Sequence, residues 1–215
     1  MEKIFTDIYE KCVWGDNQSA GYSGSSGPGS DAAFNGGIYV PFLKRFIAEN
    51  HVTSVVDLGC GDFRCGPFIY GDLDVTYTGY DTYKKVIIHN VNNHPPPKYH
   101  FVHLDFFNCW DDITGGDLCI LKDVLQHWNL GDIYNFLDFL CYSQRFKFIL
   151  LCNCGNQTQD NTDIESGGFR PLSSKYLPLR RYNPKELLIY NEKEVSLIGG
   201  KSAHLPVTPL TKSNS

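Results

Sequence analysis

Unbroken apolar runs alternate along this chain with stretches of helical period. Ser54–Leu58, Asp117–Leu121 and Arg145–Cys152 have the continuous hydrophobicity of strands buried on both faces, the signature of a parallel sheet. Val75–Asp81 and Tyr99–Asp105 are further β-rich runs, the second with alternating character. Between these runs, Tyr39, Phe42, Leu43, Phe46 and Ile47 fall on one face of a predicted helix over Ile38–Glu49, with Pro41 tolerable in its first turn. Ile133, Phe136, Leu137 and Leu140 keep i, i+3, i+4, i+7 spacing in a helix opened by Gly131. Ile4, Phe5, Ile8, Tyr9 and Cys12 give a short N-terminal stripe, Phe63–Tyr70 and Lys84–Asn90 are weaker helical stretches, and Pro95-Pro96-Pro97 forces a loop. Strands alternating with helices predict an α/β fold with a mostly parallel central sheet and helices on both faces.

Beyond Asn153 the pattern changes. Residues 154–168 are polar and turn-rich, prolines follow, and only Leu187–Tyr190 and Glu194–Ile198 read as strands. A loop of that length inside a compact domain is more often functional than idle. At the other end, Gly21–Ser30 is rich in glycine and serine, which reads either as a linker or as a loop offering N–H and hydroxyl groups to a ligand carboxylate. The tail after Gly200 is expected to lack fixed structure.

With 215 residues and 42% hydrophobic composition, one domain with a sizeable core is expected over residues 1–200. Its apolar runs fall short of the ~20 residues that cross a bilayer, and no leader pattern begins it, so a soluble, cytoplasmic protein with no membrane partner is expected. Eight cysteines without a C-x-x-C pair suit reduced, mostly buried thiols better than a disulfide framework or a zinc site. A net charge of −5 with no Lys/Arg run longer than two disfavours nucleic acid as a partner.

The candidate chemistry sits where the strands end. The first closes on Asp57-Leu-Gly59-Cys-Gly61, and two glycines allow a tight turn with close backbone approach to a ligand. Arg64 stands where a dinucleotide-binding loop has its third glycine, and no phosphate-cradling G-x-x-x-x-G-K-[ST] loop occurs. The second strand ends in Asp81, about where a ribose-binding acid falls, ~20 residues past the glycines. The alternatives are a ligand-free turn and a solvated loop aspartate. After the fourth strand, Asp123 and His127 stand four apart, so that on a helical turn the acid would orient the imidazole as a general base. The bland reading is a packed His beside Trp128 and a capping Asp. Arg170 offers a fork able to span paired hydroxyls, or a structural ion pair.

The acid-x-Gly-x-Gly form resembles the first motif of class I methyltransferases that use S-adenosylmethionine. Tyr9-Glu-Lys, Trp14-Gly, Ser26-Gly-Pro-Gly-Ser30, Asp57–Phe63, Tyr77–Asp81, Leu118–Trp128 and Gly168-Phe-Arg-Pro-Leu172 are similar, in that order, to a family of these enzymes found in bacteria and large DNA viruses. Some members resemble glycan-decorating domains associated with glycosyltransferases. The resemblance implies a Rossmann-like class I methyltransferase fold. Residues 1–37 would cover the cofactor, 38–153 would form the nucleotide-binding core and 154–200 the acceptor side. It implies cofactor contacts at Asp57, Gly59, Gly61, Asp81, Thr82, Asp105, Phe106, Ser26, Gly27, Ser30 and Lys122. It also implies acceptor contacts at Trp14 and Arg170, catalysis by His127 and Asp123, and a carbohydrate or other small hydroxyl acceptor. A divalent metal held by Asp123, His127 and Asp160 or Asp163 is a further option, without a closed ligand motif behind it.

Overall fold

The computed structural model describes residues 1–17 and 21–199; the tail from 200 onward lies outside the described residues. Among the described residues, seven strands form one sheet: β1 Ser54–Leu58, β2 Thr76–Asp81, β3 Tyr99–His103, β4 Gly116–Lys122, β5 Phe146–Cys154, β6 Lys185–Tyr190 and β7 Lys193–Gly199. Their order across the sheet is β3-β2-β1-β4-β5-β7-β6, with β1 to β5 parallel. β7 runs antiparallel between β5 and β6, returning through a tight hairpin from β6. Sequence order reverses between β1 and β4, which leaves a crevice outside their carboxyl ends where open α/β sheets take ligands.

Among the described residues, six helices accompany the strands: α1 Glu2–Glu10, α2 Ala32–Asn35, α3 Tyr39–Glu49, α4 Gly66–Tyr70, α5 Lys84–Asn93 and α6 Leu130–Ser143. Alternate residues of each strand point to opposite faces, so the sheet has two cores. On one face, Val55, Tyr77, Leu118 and Leu150 meet Phe42, Leu43 and Phe46 of α3 and Ile69 of α4. On the other, Val56, Leu58, Cys119 and Leu151 meet Ile133, Phe136, Leu137 and Leu140 of α6. Leu43 is completely buried, so Leu43→Ala would cost about 2–5 kcal/mol through lost transfer energy and an unfilled cavity.

The start of α6 is set by Asn129 rather than by Gly131. Its Oδ1 accepts the Asp132 N–H at 2.8 Å, satisfying a donor that the first helical turn leaves orphaned. All eight thiols are free, but only Cys119 and Cys152 are buried and Cys109 is exposed, so burial is less general than the composition suggests. Among the described residues, no helix is long and apolar enough to cross a membrane.

Candidate functional site

A cleft with about 1070 Å³ of empty space, its open mouth included, lies outside the carboxyl ends of β1, β2 and β4. Asp57, Gly59 and Gly61, then Asp81 and Thr82, then Asp105 and Phe106, then Lys122 and Asp123 reach it from successive strand ends. The N-terminal segment closes it from above with Phe5, Tyr9, Trp14, Ser26 and Ser30. Twelve expected site residues therefore line one cavity; Gly27, His127 and Arg170 do not.

The glycine turn works differently from the expectation. Gly59 and Cys60 donate their N–H groups to the Tyr80 carbonyl at 2.9 and 3.0 Å, and Gly61 donates to Asp81 Oδ2 at 3.0 Å. Asp62 N–H goes to Ser26 Oγ at 2.8 Å, and Phe63 N–H to the Cys60 carbonyl. Every N–H from 59 to 63 is thus used inside the protein, so none is left bare for a ligand. The missing side chains make room for protein as well: a Cβ on Gly59 would strike Val124, and one on Gly61, at φ 53°, would strike Ser26. These glycines admit neighbouring side chains, and the turn offers no nest for a pyrophosphate.

Burial shapes the acids. Asp81 is 6% exposed, and its carboxyl is pushed up to about 6 by burial, against the opposing N–H bonds from Tyr83 and Gly61. Asp57 rises likewise to about 6 through burial, although the Tyr77 hydroxyl donates to its Oδ2 at 2.7 Å. Asp105 resists burial and is held below the usual carboxylate range by the Glu2 N–H, Asn108 and the Met1 amino group, which all converge on Oδ2. Its Oδ1 is buried without a partner, and so is the hydroxyl of Thr82.

Asp123 and His127 do not form the expected pair. Lys122 and Lys193 both donate to the Asp123 carboxylate, and despite burial they hold it below its ordinary value. His127 instead donates from Nδ1 to the Gly168 carbonyl at 2.7 Å, leaving Nε2 as the ring's acceptor, with the Gln126 amide 3.3 Å away. The short 3-10 turn Leu125–His127 buries the imidazole, and that burial lowers its pKa. Trp14 covers the ring at 4.8 Å between centroids. Arg170 is 2% exposed and donates to the carbonyl of the cleft-lining Trp128, without itself lining the cleft. Asp160 pairs with Arg180, and Asp163 accepts the Leu130 N–H. Among the described residues, no three His, Cys, Asp or Glu side chains gather as metal ligands.

Sequence reasoning missed Tyr9 and Arg64. Tyr9 stacks on Tyr83 at 4.4 Å, hydrogen-bonds Ser26 Oγ at 2.7 Å and lines the cleft. Its signal was its place in the N-terminal stripe. Arg64 lines the cleft and pairs with Asp62 at 3.0 Å; the irregularity at the third-glycine position was its signal.

No family model and no curated protein matches the sequence. Solved structures do. Human N-acetylserotonin methyltransferase in complex with SAM superposes with a TM-score of 0.53 over 75% of this chain and 52% of that one, at 15% identity. The methyltransferase domain of bacterial CtHen1-C gives 0.56 over 74% and 96%, at 11% identity. The bifunctional kinase-methyltransferase WbdD gives 0.54 over 79% and 42%, at 14% identity. The chain has the class I methyltransferase fold. It spans about half the length of N-acetylserotonin methyltransferase and of the mitomycin 7-O-methyltransferase MmcR, with 52% and 54% of those chains covered.

The polar atoms of this methyltransferase fold suit S-adenosylmethionine. Asp81 on the second strand can accept from a ribose diol, and the unpartnered Asp105 Oδ1 can accept from an adenine amine beside Phe106. Thr82 has a free hydroxyl at the same wall, and Ser26, Ser30 and the Lys122 ammonium, which donates to the Gly29 carbonyl and Asp123, also line the cleft.

Proposed function

We propose that the chain is an S-adenosylmethionine-dependent O-methyltransferase whose acceptor is a sugar hydroxyl of a glycan or glycoside, acting in association with glycosyltransferases. The observation that supports it most is the inward use of every N–H from Gly59 to Phe63, beside carboxylates at Asp57, Asp81 and Asp105. Such a wall suits a nucleoside with hydroxyls and an amine but no phosphate.

When bound, S-adenosylmethionine supplies a sulfonium methyl for in-line attack by an acceptor oxygen, whose proton must leave. The protein's work is to align the acceptor and receive that proton. His127 is our base: the Gly168 carbonyl fixes the Nδ1–H tautomer and burial keeps the ring neutral, so Nε2 can take the proton once the Gln126 amide yields. Asp123 is the alternate base, weakened by its two lysines. Trp14, on the cleft wall beside His127, is the acceptor contact.

A second reading, a non-catalytic S-adenosylmethionine-binding module, is favoured by the position of His127 behind Trp14 and the pinning of Asp123. A labelled-methyl assay over methyl glycosides, phenols and peptides separates the readings. Label in glycosides supports the proposal, and label only in phenols or peptides overturns the acceptor. Binding of S-adenosylhomocysteine without any transfer favours the module.

A further inference from the structure

The loop after residue 166 is stapled to the segment that carries His127. Gly167 donates its N–H to the His127 carbonyl at 2.7 Å, Arg170 N–H bonds the Gln126 carbonyl at 3.0 Å, and the Gly168 carbonyl receives His127 Nδ1–H. From beneath, the buried Arg170 guanidinium donates to the Trp128 carbonyl. Gly167, at φ +99°, packs so closely on α1 that a Cβ there would sit 2.7 Å from Ile4 Cγ2. The loop is therefore fixed on three sides.

At its tip this loop holds Phe169 out in solvent, 57% exposed, with its ring centroid 5.9 Å from His127. The same imidazole has the Trp14 ring at 4.8 Å, and Trp14 lines the cleft. The imidazole thus touches both an indole on the cleft wall and an exposed phenyl ring. Single exposed apolar side chains are ordinary. This one differs in touching the candidate base, whose other ring neighbour Trp14 lines the cleft, and in being held by backbone bonds to the segment that carries that base.

We propose that Phe169 is a specificity-determining residue that docks the acceptor: the apolar C–H face of a pyranose ring rests on Phe169 and Trp14, bringing a ring hydroxyl over His127. Aromatic rings supply large, rigid contact area at low entropic cost and leave a hydroxyl-bearing edge free for polar contacts. Arg170 is then a positioning residue that sets the height of the loop. The inference rests on the acceptor class proposed above.

The test uses the full chain saturated with S-adenosylhomocysteine and titrated calorimetrically with a panel of 4-nitrophenyl pyranosides. At least one glycoside should bind wild type; Phe169→Ala should weaken it about fivefold or more, and Phe169→Tyr should stay within about twofold. S-Adenosylhomocysteine affinity should be the same in all three proteins. Glycoside binding that Phe169→Ala leaves unchanged overturns the role of Phe169 while the proposed function stands. Absence of glycoside binding overturns the inference together with the sugar acceptor, and failure of wild type to bind S-adenosylhomocysteine removes the methyltransferase reading itself.

Discussion

Lowering the pH from 8 to 5 places a proton on Asp81, the acid assigned to the ribose diol, because burial has pushed its carboxyl up to about 6. The sign follows from that direction. Raising the carboxyl from 3.8 to about 6 makes its ionisation cost the ligand-free fold about 3 kcal/mol, a penalty absent below pH 4 and complete above pH 6. A diol donates to the ionised form, so cofactor binding must release that proton at low pH and weaken. A single group titrating near 6 is about ten-elevenths protonated at pH 5, which costs about tenfold in affinity relative to pH 8. Asp57 also rises to about 6 and lines the same cleft, so the Asp81→Asn variant separates the two: the pH dependence it removes belongs to Asp81. Asp81→Asn should weaken S-adenosylhomocysteine about 10- to 100-fold at pH 8, as expected when hydrogen bonds to a charged acceptor become neutral ones. It should also flatten the pH dependence. Isothermal titration calorimetry between pH 5 and 8 at constant ionic strength reads both effects. A wild-type affinity that does not change with pH, together with Asp81→Asn binding as tightly as wild type, would refute the reasoning.

Other expectations follow from the same contacts. Gly61→Ala puts a Cβ against Ser26 at φ 53° and should cost about 1–3 kcal/mol, lowering Tm by several degrees; adding Ser26→Gly should recover part of the loss in thermal melts. Asp123→Asn leaves Lys122 and Lys193 without their shared counterion and should cost about 2–4 kcal/mol in urea unfolding. Because the Asp123 carboxyl lies below 3.8, this stabilisation is present at neutral pH and fades in wild type as the pH falls through that lowered value. His127→Asn should lower kcat about 100-fold with S-adenosylhomocysteine affinity unchanged, and should abolish a kcat limb that rises with pH below 6.5. A limb that survives the substitution would assign the base elsewhere.

The strands and the two long helices were legible because local period alone decides them: β1, β4 and β5 are continuous apolar runs, and α3 and α6 carry single apolar faces. The site's location was legible too, since acids at consecutive parallel strand ends must meet at one edge of the sheet. What could not be read were the partners. Gly61 has the composition of a ligand-facing turn, yet its N–H is claimed by Asp81, 20 residues away, and its side-chain space by Ser26. Asp123 looked free to orient His127 because Lys193, 70 residues on, had no local mark as its ion-pair partner. Arg170 reads as a surface fork, and only the ladder between residues 126–128 and 167–170 explains its burial. The reversal of β7 between β5 and β6 likewise depends on the tight turn at Asn191 and Glu192, both at positive φ.

The central claim is that the cleft holds a phosphate-free nucleoside by its strand-end carboxylates. A crystal structure of the protein with S-adenosylhomocysteine tests it most directly. The account predicts both ribose hydroxyls within hydrogen-bond distance of Asp81 and the adenine amine on Asp105 Oδ1 beside Phe106. A ligand bound elsewhere, or one in this cleft whose ribose and adenine leave Asp81 and Asp105 untouched, would contradict it.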